Sequence, residues 1–184
     1  MTRPGQSLAT ERLVLRRWRE ADRASFHALN ADPQVMATIG PTMSRAESDA
    51  FMNRIGEHFR ERGYGLWCMD LDGEAIGFTG LAHPWFRDGV EIGWRLRSEY
   101  WGNGYVTEAA RDVLRHAFET LGIDEVISFT AVTNVRSRAV MERIGLRYDA
   151  DADFDHPSVP EGNPLRPHVL YRLTVTDWRV SAQR

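Results

Sequence analysis

The sequence predicts one α/β domain, which some schemes would class as α+β, built on a single mixed sheet. Segments with strand and helix patterns alternate along the 184 residues, and no linker-like stretch divides them. Apolar residues make up 42% of the chain, which is enough for a buried core. We therefore interpret residues 1–184 as a single domain.

Composition and charge narrow the functional classes. The formal net charge of -3 argues against a nonspecific nucleic-acid binder. Cys68 is the only cysteine, which excludes an intrachain disulfide and a cysteine-rich metal site. Neither a signal peptide nor an apolar run long enough to span a membrane is present, so we expect a cytoplasmic protein without a membrane partner.

The first helices can be placed from local signals. Residues 13–16 predict the first strand, and Asp22 begins a short helix. Ser44 is followed three residues later by Glu47, which is a capping-box signature. Apolar residues at helical spacing then continue to about residue 60, so a second, longer helix is predicted there.

A hairpin and a two-faced strand follow. Two apolar runs at 66–70 and 75–81 flank Asp72-Gly73, a strong short-range hairpin signal. The strand predicted at 90–96 alternates along its length, because successive side chains of a strand point to opposite faces. Its apolar face carries Val90, Ile92, Trp94 and Leu96, and its other face carries Glu91, Gly93 and Arg95.

The second half of the chain contains two strand–helix units and a closing region. A glycine loop leads into a helix that ends before Gly122, and Gly145 ends the next helix. The predicted elements are a helix at 106–121, a strand at 126–132, a helix at 134–144, closing strands at 146–148 and 169–175, and a long loop at 151–167.

The most informative stretch is the glycine loop Trp101-Gly102-Asn103-Gly104-Tyr105, which joins a strand to a helix. Glycines before a helix let backbone N–H groups approach an anion, and the helix dipole adds partial positive charge. The loop lacks the residues of a nucleoside-triphosphate P-loop and the third glycine of a dinucleotide fingerprint. A tight turn alone would explain the same glycines. Similarly, Asn134 and Ser137 can both be explained as capping residues of the next helix.

Four stretches taken together resemble a known family. They are Glu91-Ile92-Gly93-Trp94, residues 100–109, Asn134-x-x-Ser137 with residues 141–146, and the opening residues 10–16. In this order and spacing they are similar to the RimJ/RimL-like branch of the GNAT superfamily N-acetyltransferases, and the resemblance covers residues 10–148. Glu99 is a departure, because many members have Gln or Arg three residues before the first glycine.

The resemblance implies a fold and a co-substrate. The GNAT sheet is twisted and flanked by helices, and its fourth and fifth strands, here 90–96 and 126–132, splay apart. The pantetheine arm of acetyl-CoA would hydrogen-bond to the opened strand edge and its pyrophosphate to the loop amides. The residues that the resemblance assigns to acetyl-CoA are Trp94, Leu96, Arg97, Trp101, Gly102, Asn103, Gly104, Tyr105, Val106, Thr107, Asn134 and Ser137.

The resemblance also assigns the catalytic roles. The implied reaction is direct attack by a neutral primary amine on the thioester in a ternary complex. Glu91 is similar in position to the family's general base, and a partly desolvated cleft would raise its pKa toward about 6–7. A surface or salt-bridged glutamate is the alternative. Ser137 stands where many relatives have a tyrosine, and its hydroxyl is expected to donate a hydrogen bond to the departing thiolate.

Several alternatives remain open from the sequence. The acceptor can be a protein N-terminus, a small metabolite amine or an aminoglycoside-type drug, and a non-catalytic acyl-CoA-binding module is the competing class. The expected partners are acetyl-CoA and an amine, and the chain is a monomer or a homodimer. His156 and His168, with the acidic residues beside them, fit no familiar ligand spacing, so we expect no metal.

Overall fold

Residues 7–182 are described by a computed structural model, and the strands among them form one nine-stranded sheet. The strands are β1 (Leu8–Ala9), β2 (Val14–Arg16), β3 (Leu66–Leu71), β4 (Glu74–Ala82), β5 (Val90–Leu96), β6 (Glu125–Ala131), β7 (Arg147–Tyr148), β8 (Phe154–Asp155) and β9 (Pro167–Thr174). Their order is β1-β2-β3-β4-β5-β6-β9-β7, and β8 also pairs with β9. Only β5 and β6 pair in parallel, which confirms the predicted mixed sheet.

Six α-helices occur within the described residues: α1 (Arg23–Ala31), α2 (Pro33–Met36), α3 (Arg45–Arg62), α4 (Tyr105–Arg115), α5 (Val135–Arg143) and α6 (Val175–Ala182). The predicted capping box begins α3, since the Ser44 amide donates to Glu47 Oε2 over 2.7 Å and Ser44 Oγ accepts from the Glu47 amide. None of the helices within residues 7–182 is long and apolar enough to cross a membrane.

The hairpin between β3 and β4 forms as predicted. Asp72 and Gly73 have φ angles of 51° and 92°, and a left-handed pair of this kind matches the twist of the flanking strands. The Gly73 amide also donates to Asp70 Oδ1 over 2.7 Å. The conformation of the turn therefore depends on its own residues.

Several elements depart from the sequence-based expectation. The short strands β1 and β8 were not predicted, and β8 lies within the segment 151–167 that was expected to be a long loop. The last strand ends at Thr174, and Val175 begins α6, which was not predicted because the β-branched residues there favour a strand. Thr174 Oγ1 accepts a hydrogen bond from the Asp177 amide over 3.2 Å and caps this helix. Helix α2, begun by Asp32 as its cap, was not predicted. The helix expected to run to residue 121 ends as an α-helix at Arg115 and continues as a π-helical turn over His116–Thr120.

Strands β5 and β6 pair only at their beginnings. The register joins Val90 with Val126 and Glu91 with Ile127, and the two strands diverge beyond that point. Ser128 Oγ donates to the Ile92 carbonyl over 2.8 Å, so a side chain takes the place of the next ladder bond. The predicted splay is confirmed, and it opens the sheet next to the start of α5.

Helices cover both faces of the sheet around this opening. Helices α1 and α3 pack on the face that carries Phe78, whose ring lies 6.1 Å from Phe26 and 5.9 Å from Phe51. Because Arg95 pairs with Phe78 in the β4–β5 ladder, it lies under the same helices. Helices α4 and α5 contact each other, and α5 contacts Trp94 of the opposite face.

Candidate active site

A cavity of about 370 Å³ lies where β5 and β6 diverge. Its walls include Glu91, Gly93 and Arg95 from one face of β5, Trp94 from the other face, and Ser137 from α5. The predicted base and the predicted hydrogen-bond donor therefore line one continuous space. A second cavity, of about 420 Å³, lies along α3 and contains none of the predicted site residues.

Glu91 has an unusual environment for a carboxylate. No hydrogen bond or ion pair to its side chain is formed within residues 7–182. Loss of hydration raises the pKa of Glu91 to about 8, above the expected 6–7, because no positive charge or donor offsets the burial. This geometry contradicts the alternative of a salt-bridged glutamate and leaves a carboxyl group that can exchange a proton near neutral pH.

Ser137 is oriented by Trp94 across the opening. The Trp94 indole Nε1–H donates to Ser137 Oγ over 3.3 Å. Since the oxygen accepts this bond, its own hydrogen is free to point into the cavity. The Ser137 amide meanwhile donates to Asn134 Oδ1 over 3.2 Å, which confirms that Asn134 caps α5. Asn134 Nδ2 donates to Thr130 Oγ1 over 2.9 Å, so this side chain both caps the helix and lines the cavity.

The backbone of β5 presents free hydrogen-bonding groups toward the opening. Successive residues of a strand direct their N–H and C=O groups to alternate sides. Ile92 O faces β6, where Ser128 reaches it, and Gly93 O faces β4, where Thr79 Oγ1 donates to it over 3.1 Å. By this alternation the Trp94 main chain faces the opened edge, where no β6 residue pairs with it.

Two further predicted residues stand at the end of this edge. The Leu96 main chain also faces the opening. The Leu96 carbonyl accepts a hydrogen bond from the Trp101 indole over 2.9 Å, so only the Leu96 amide can donate to a ligand at this edge. The Arg97 amide is committed to the Ile76 carbonyl at 3.0 Å, and its guanidinium is paired with Glu74 and Glu99. Of the three positions that the resemblance names at this edge, Trp94 and Leu96 in β5 thus present amides, whereas Arg97, just after β5, presents neither its amide nor its side chain.

The glycine loop leaves the first amides of α4 without a side-chain cap. Gly102 and Gly104 have φ angles of 82° and 78°, and Gly104 is the N-cap of α4. Asn103 Nδ2 donates to the carbonyls of Tyr100 and Trp101 and so holds the loop to the preceding turn. The amides of Tyr105, Val106 and Thr107 open the helix, and such groups bind anions.

Two arginines beside this loop were not predicted as site residues. Arg12 Nη2 lies 3.7 Å from where a Cβ of Gly104 would stand, and Arg12 is held by Glu108 at 2.7 Å. Arg136 stacks over the Trp101 ring at 4.2 Å. The loop is therefore flanked by two guanidinium groups as well as by a helix N-terminus. Arg12 lies between β1 and β2, within the opening residues 10–16 that resemble the family, but nothing local linked it to a loop 90 residues away.

Aromatic and histidine rings close the β6–β9 end of the cavity. The rings of His156 and His168 lie 4.8 Å apart, and Phe86 lies 4.7 Å from His156. Burial lowers the pKa of both histidines, and the charge of His168 adds to the effect on His156. Within the described part of the chain no group of three or more His, Cys, Asp or Glu side chains could hold a metal ion.

Comparison with known proteins agrees with this geometry. Residues 12–147 match the family described as "Acetyltransferase (GNAT) domain". The chain is 31% identical over 183 residues to the FsC-acetyl coenzyme A-N(2)-transacetylase of Aspergillus fumigatus, covering 94% of this chain and 77% of the relative. An acetyltransferase structure from Agrobacterium tumefaciens is 30% identical, with a TM-score of 0.77 and coverage of 91% of this chain and 94% of that one.

A more distant structure shares the fold. The Mycobacterium smegmatis RimJ in complex with CoA-disulfide is 19% identical, with a TM-score of 0.75 and coverage of 98% of this chain and 96% of that one. Because the family match spans residues 12–147 and the splayed sheet is present, the chain belongs to the GNAT acetyltransferases, acyltransferases that use acetyl-CoA.

Proposed function

We propose that this chain transfers the acetyl group of acetyl-CoA to a primary amine by direct attack in a ternary complex. The observation that carries the proposal is the single cavity at the opened sheet edge, which is lined by an unpaired Glu91 and by the oriented hydroxyl of Ser137. Aminolysis of a thioester is accelerated by a base that accepts the proton of the amine and by a hydrogen-bond donor beside the reacting atoms, and this cavity contains one group of each kind.

The proposed acetyl-CoA site has two parts. The pantetheine arm adds to the opened edge of β5 through the Trp94 carbonyl and the Leu96 amide, whereas the Arg97 amide and carbonyl are already bonded to Ile76 and Tyr100. Asn134 and Ser137 contact the arm from α5. The pyrophosphate lies on the loop and the first turn of α4, and a helix N-terminus flanked by arginines favours an anion. The loop part comprises Trp101, Gly102, Asn103, Gly104, Tyr105, Val106 and Thr107.

In the chemical step the amine nitrogen bonds to the thioester carbonyl carbon, and the C–S bond breaks. The nitrogen gives up one proton to the Glu91 carboxylate, which then releases it to solvent. With a pKa of about 8, Glu91 is mostly protonated at pH 7, and its ionised fraction grows as the pH rises. The Trp94 amide donates to the tetrahedral oxyanion, and Ser137 donates to the sulfur as CoA leaves as a thiolate.

The acceptor is proposed to be either a small-molecule amine or a protein N-terminus. The Aspergillus relative's name describes transacetylation at an N(2) position, which supports a nitrogen acceptor. The RimJ/RimL-like motifs of this sequence favour an N-terminus. The competing function is an acyl-CoA-binding module without catalysis.

Two measurements separate these possibilities. Calorimetry with acetyl-CoA, beside ATP and NAD as controls, tests the binding site, and we expect heat only with acetyl-CoA. Release of free CoA thiol in the presence of a panel of amines tests catalysis. Absence of acetyl-CoA binding would overturn the proposal, and binding without thiol release for any amine would favour the non-catalytic module.

A further inference from the structure

Arg95 is a buried arginine that pairs with no carboxylate among the residues that the structure describes. Only 9% of the residue is exposed, and it lines the cavity on the same face of β5 as Glu91. Its Nη1 donates to Asn30 Oδ1, whereas its Nε is buried without any acceptor within the described residues. No ion pair to Arg95 is formed by any described acidic group, Glu91 included.

The guanidinium is nevertheless held firmly. Asn30 Nδ2 donates to Ser48 Oγ over 2.9 Å, and both residues are fully buried, which fixes the amide so that its oxygen faces Arg95. The rings of Phe78 and Phe51 lie 5.4 Å and 5.9 Å from the guanidinium carbon. Helices α1 and α3 thus position this side chain, which suits a binding group better than a mobile surface arginine.

Arg16 shows how this protein treats a buried arginine that has only a structural role. Arg16 is 5% exposed, and its guanidinium contacts Asp22 at 2.6 Å and Asp70 at 2.6 Å. A buried charge without a counter-ion is costly, and partners of this kind offset the cost. Arg95 lacks them, and burial lowers its pKa to about 10. The missing negative charge would be supplied by an anion in the cavity.

We propose that Arg95 binds a carboxylate of the acceptor, so that the substrate class is a primary amine that also carries a carboxylate. This inference rests on the proposed function, because it takes the Glu91 face of β5 as the acceptor side. Glu91 and Arg95 stand four residues apart on one strand face, a backbone separation of roughly 13 Å. One acceptor can therefore place its amine toward Glu91 and its carboxylate toward the donor edge of the guanidinium that Asn30 leaves free.

The test begins with the unaltered protein and matched acceptors. Glycine, 4-aminobutanoate and 6-aminohexanoate are each compared with the corresponding carboxamide by release of CoA thiol. A pair of short peptides with Glu or Gln at the second position distinguishes a peptide carboxylate from a free one. We expect kcat/KM to favour the carboxylate about 10- to 100-fold at the chain length that fits, because a hydrogen bond to a charged group is worth this much.

Three variants connect the preference to Arg95. Arg95→Met keeps the packing against the two phenylalanine rings, and it should abolish the preference by raising KM for the carboxylate with little change in acetyl-CoA affinity. Arg95→Lys keeps the charge and should retain part of the preference. Arg87→Met is the matched control, since Arg87 stacks on Phe154 at 4.2 Å outside the cavity lining, and it should leave the preference unchanged.

A binding measurement makes the test independent of turnover and of the variants. Hexanoate and hexanamide lack the amine, and they are titrated into the unaltered protein saturated with CoA. Tighter binding of hexanoate supports the proposal even if Arg95→Met fails to fold. Equal binding, together with equal turnover of carboxylates and carboxamides, overturns it. Binding of acetyl-CoA without turnover of any amine contradicts the proposed function instead, and the hexanoate titration still decides the role of Arg95.

Discussion

Replacement of Glu91 by Gln tests the assignment of the general base. Glutamine preserves the size of the side chain and removes the ionisable group. We expect the maximal kcat to fall by roughly 10²–10⁴-fold, which is the usual contribution of a positioned base, while the affinity for acetyl-CoA stays nearly unchanged. Glu91→Asp is the conservative control, because it retains a carboxylate at reduced reach and should keep part of the activity.

The pH profile gives the sharper result. Because desolvation raises the pKa of Glu91 to about 8, the rate should rise with pH and bend near pH 8. The histidines of the same cavity, His156 and His168, have lowered pKa values and titrate below this range. Arg95, on the same strand face, has a pKa of about 10 and titrates above it. An acceptor with a lysine-like amine, of pKa about 10.4, keeps the ionisation of the substrate away from the bend. An α-amine, of pKa about 7.7–8.0, would overlap with it.

Glu91→Gln should remove the bend near pH 8 and leave only the ionisation of the amine. With an α-amine the loss of rate should shrink at high pH, where the acceptor is already neutral. Full activity of Glu91→Gln between pH 6 and 9, or an unchanged bend in the pH profile, would refute the assignment of Glu91 as the general base. Water or another group would then accept the proton.

The same shift predicts a pH-dependent difference in stability. Folding raises the pKa of Glu91 from about 4.5 to about 8. The contribution of such a group to the free energy of unfolding is complete below pH 4.5 and is lost as the pH rises through about 8. The free energy of unfolding of Glu91→Gln should therefore increase relative to the unaltered protein between these pH values, by up to about 1.4 kcal/mol per pH unit. Denaturant titrations at pH 5, 7 and 9 measure this, and a constant difference would contradict the desolvated carboxyl.

Four further substitutions, one of them a control, test the glycine loop, the hydrogen bond from Trp94 to Ser137 and the cap of α3. Gly104 and Gly122 have positive φ angles of 78° and 67°, so replacing either by Ala should lower the free energy of unfolding by about 1–2 kcal/mol. Only Gly104→Ala should also weaken acetyl-CoA binding, by at least tenfold in calorimetry, because Gly122 lies outside the glycine loop and serves as the control. Trp94→Phe removes the donor to Ser137 and should lower kcat about 2- to 12-fold with acetyl-CoA affinity unchanged; an unchanged kcat would mean that the indole does not orient the hydroxyl. Ser44→Ala removes the cap of α3 and should lower Tm by about 2–4 °C without affecting KM, as measured by thermal unfolding and steady-state kinetics.

Local signals predicted the elements whose causes are local. The hairpin at Asp72 and Gly73, the cap at Ser44 and the alternation along β5 each depend on residues within one short segment, and each is present in the structure. Helix α6 was missed because the closing strand was predicted to continue to residue 175, although Thr174 and Asp177 form a local capping signal at the start of the helix.

The chemistry of the site depends on contacts that no short segment contains. Arg95 is positioned through Asn30, which lies 65 residues away in the sequence. Arg12 reaches Glu108 across 96 residues, and this contact brings a guanidinium beside the glycine loop. The alternation of β5 predicted a polar face at Glu91, but only the covering helices make that face a desolvated cavity, and this is why its pKa exceeds the expected range.

Burial acts in opposite directions on the two charged residues of this strand face. It favours the neutral acid at Glu91 and disfavours the cation at Arg95, so the cavity without a substrate holds a weakly ionised base and an unbalanced positive charge. An acceptor that carries both an ammonium group and a carboxylate would favour ionisation of Glu91 and neutralise the charge of Arg95. Its ammonium beside Glu91 would lower the pKa of the base and increase the ionised fraction, and its carboxylate would balance Arg95. For such an acceptor the bend in the kcat profile should therefore lie below the bend in kcat/KM for the free enzyme, whereas an amine without the carboxylate should leave Arg95 unbalanced and bind more weakly.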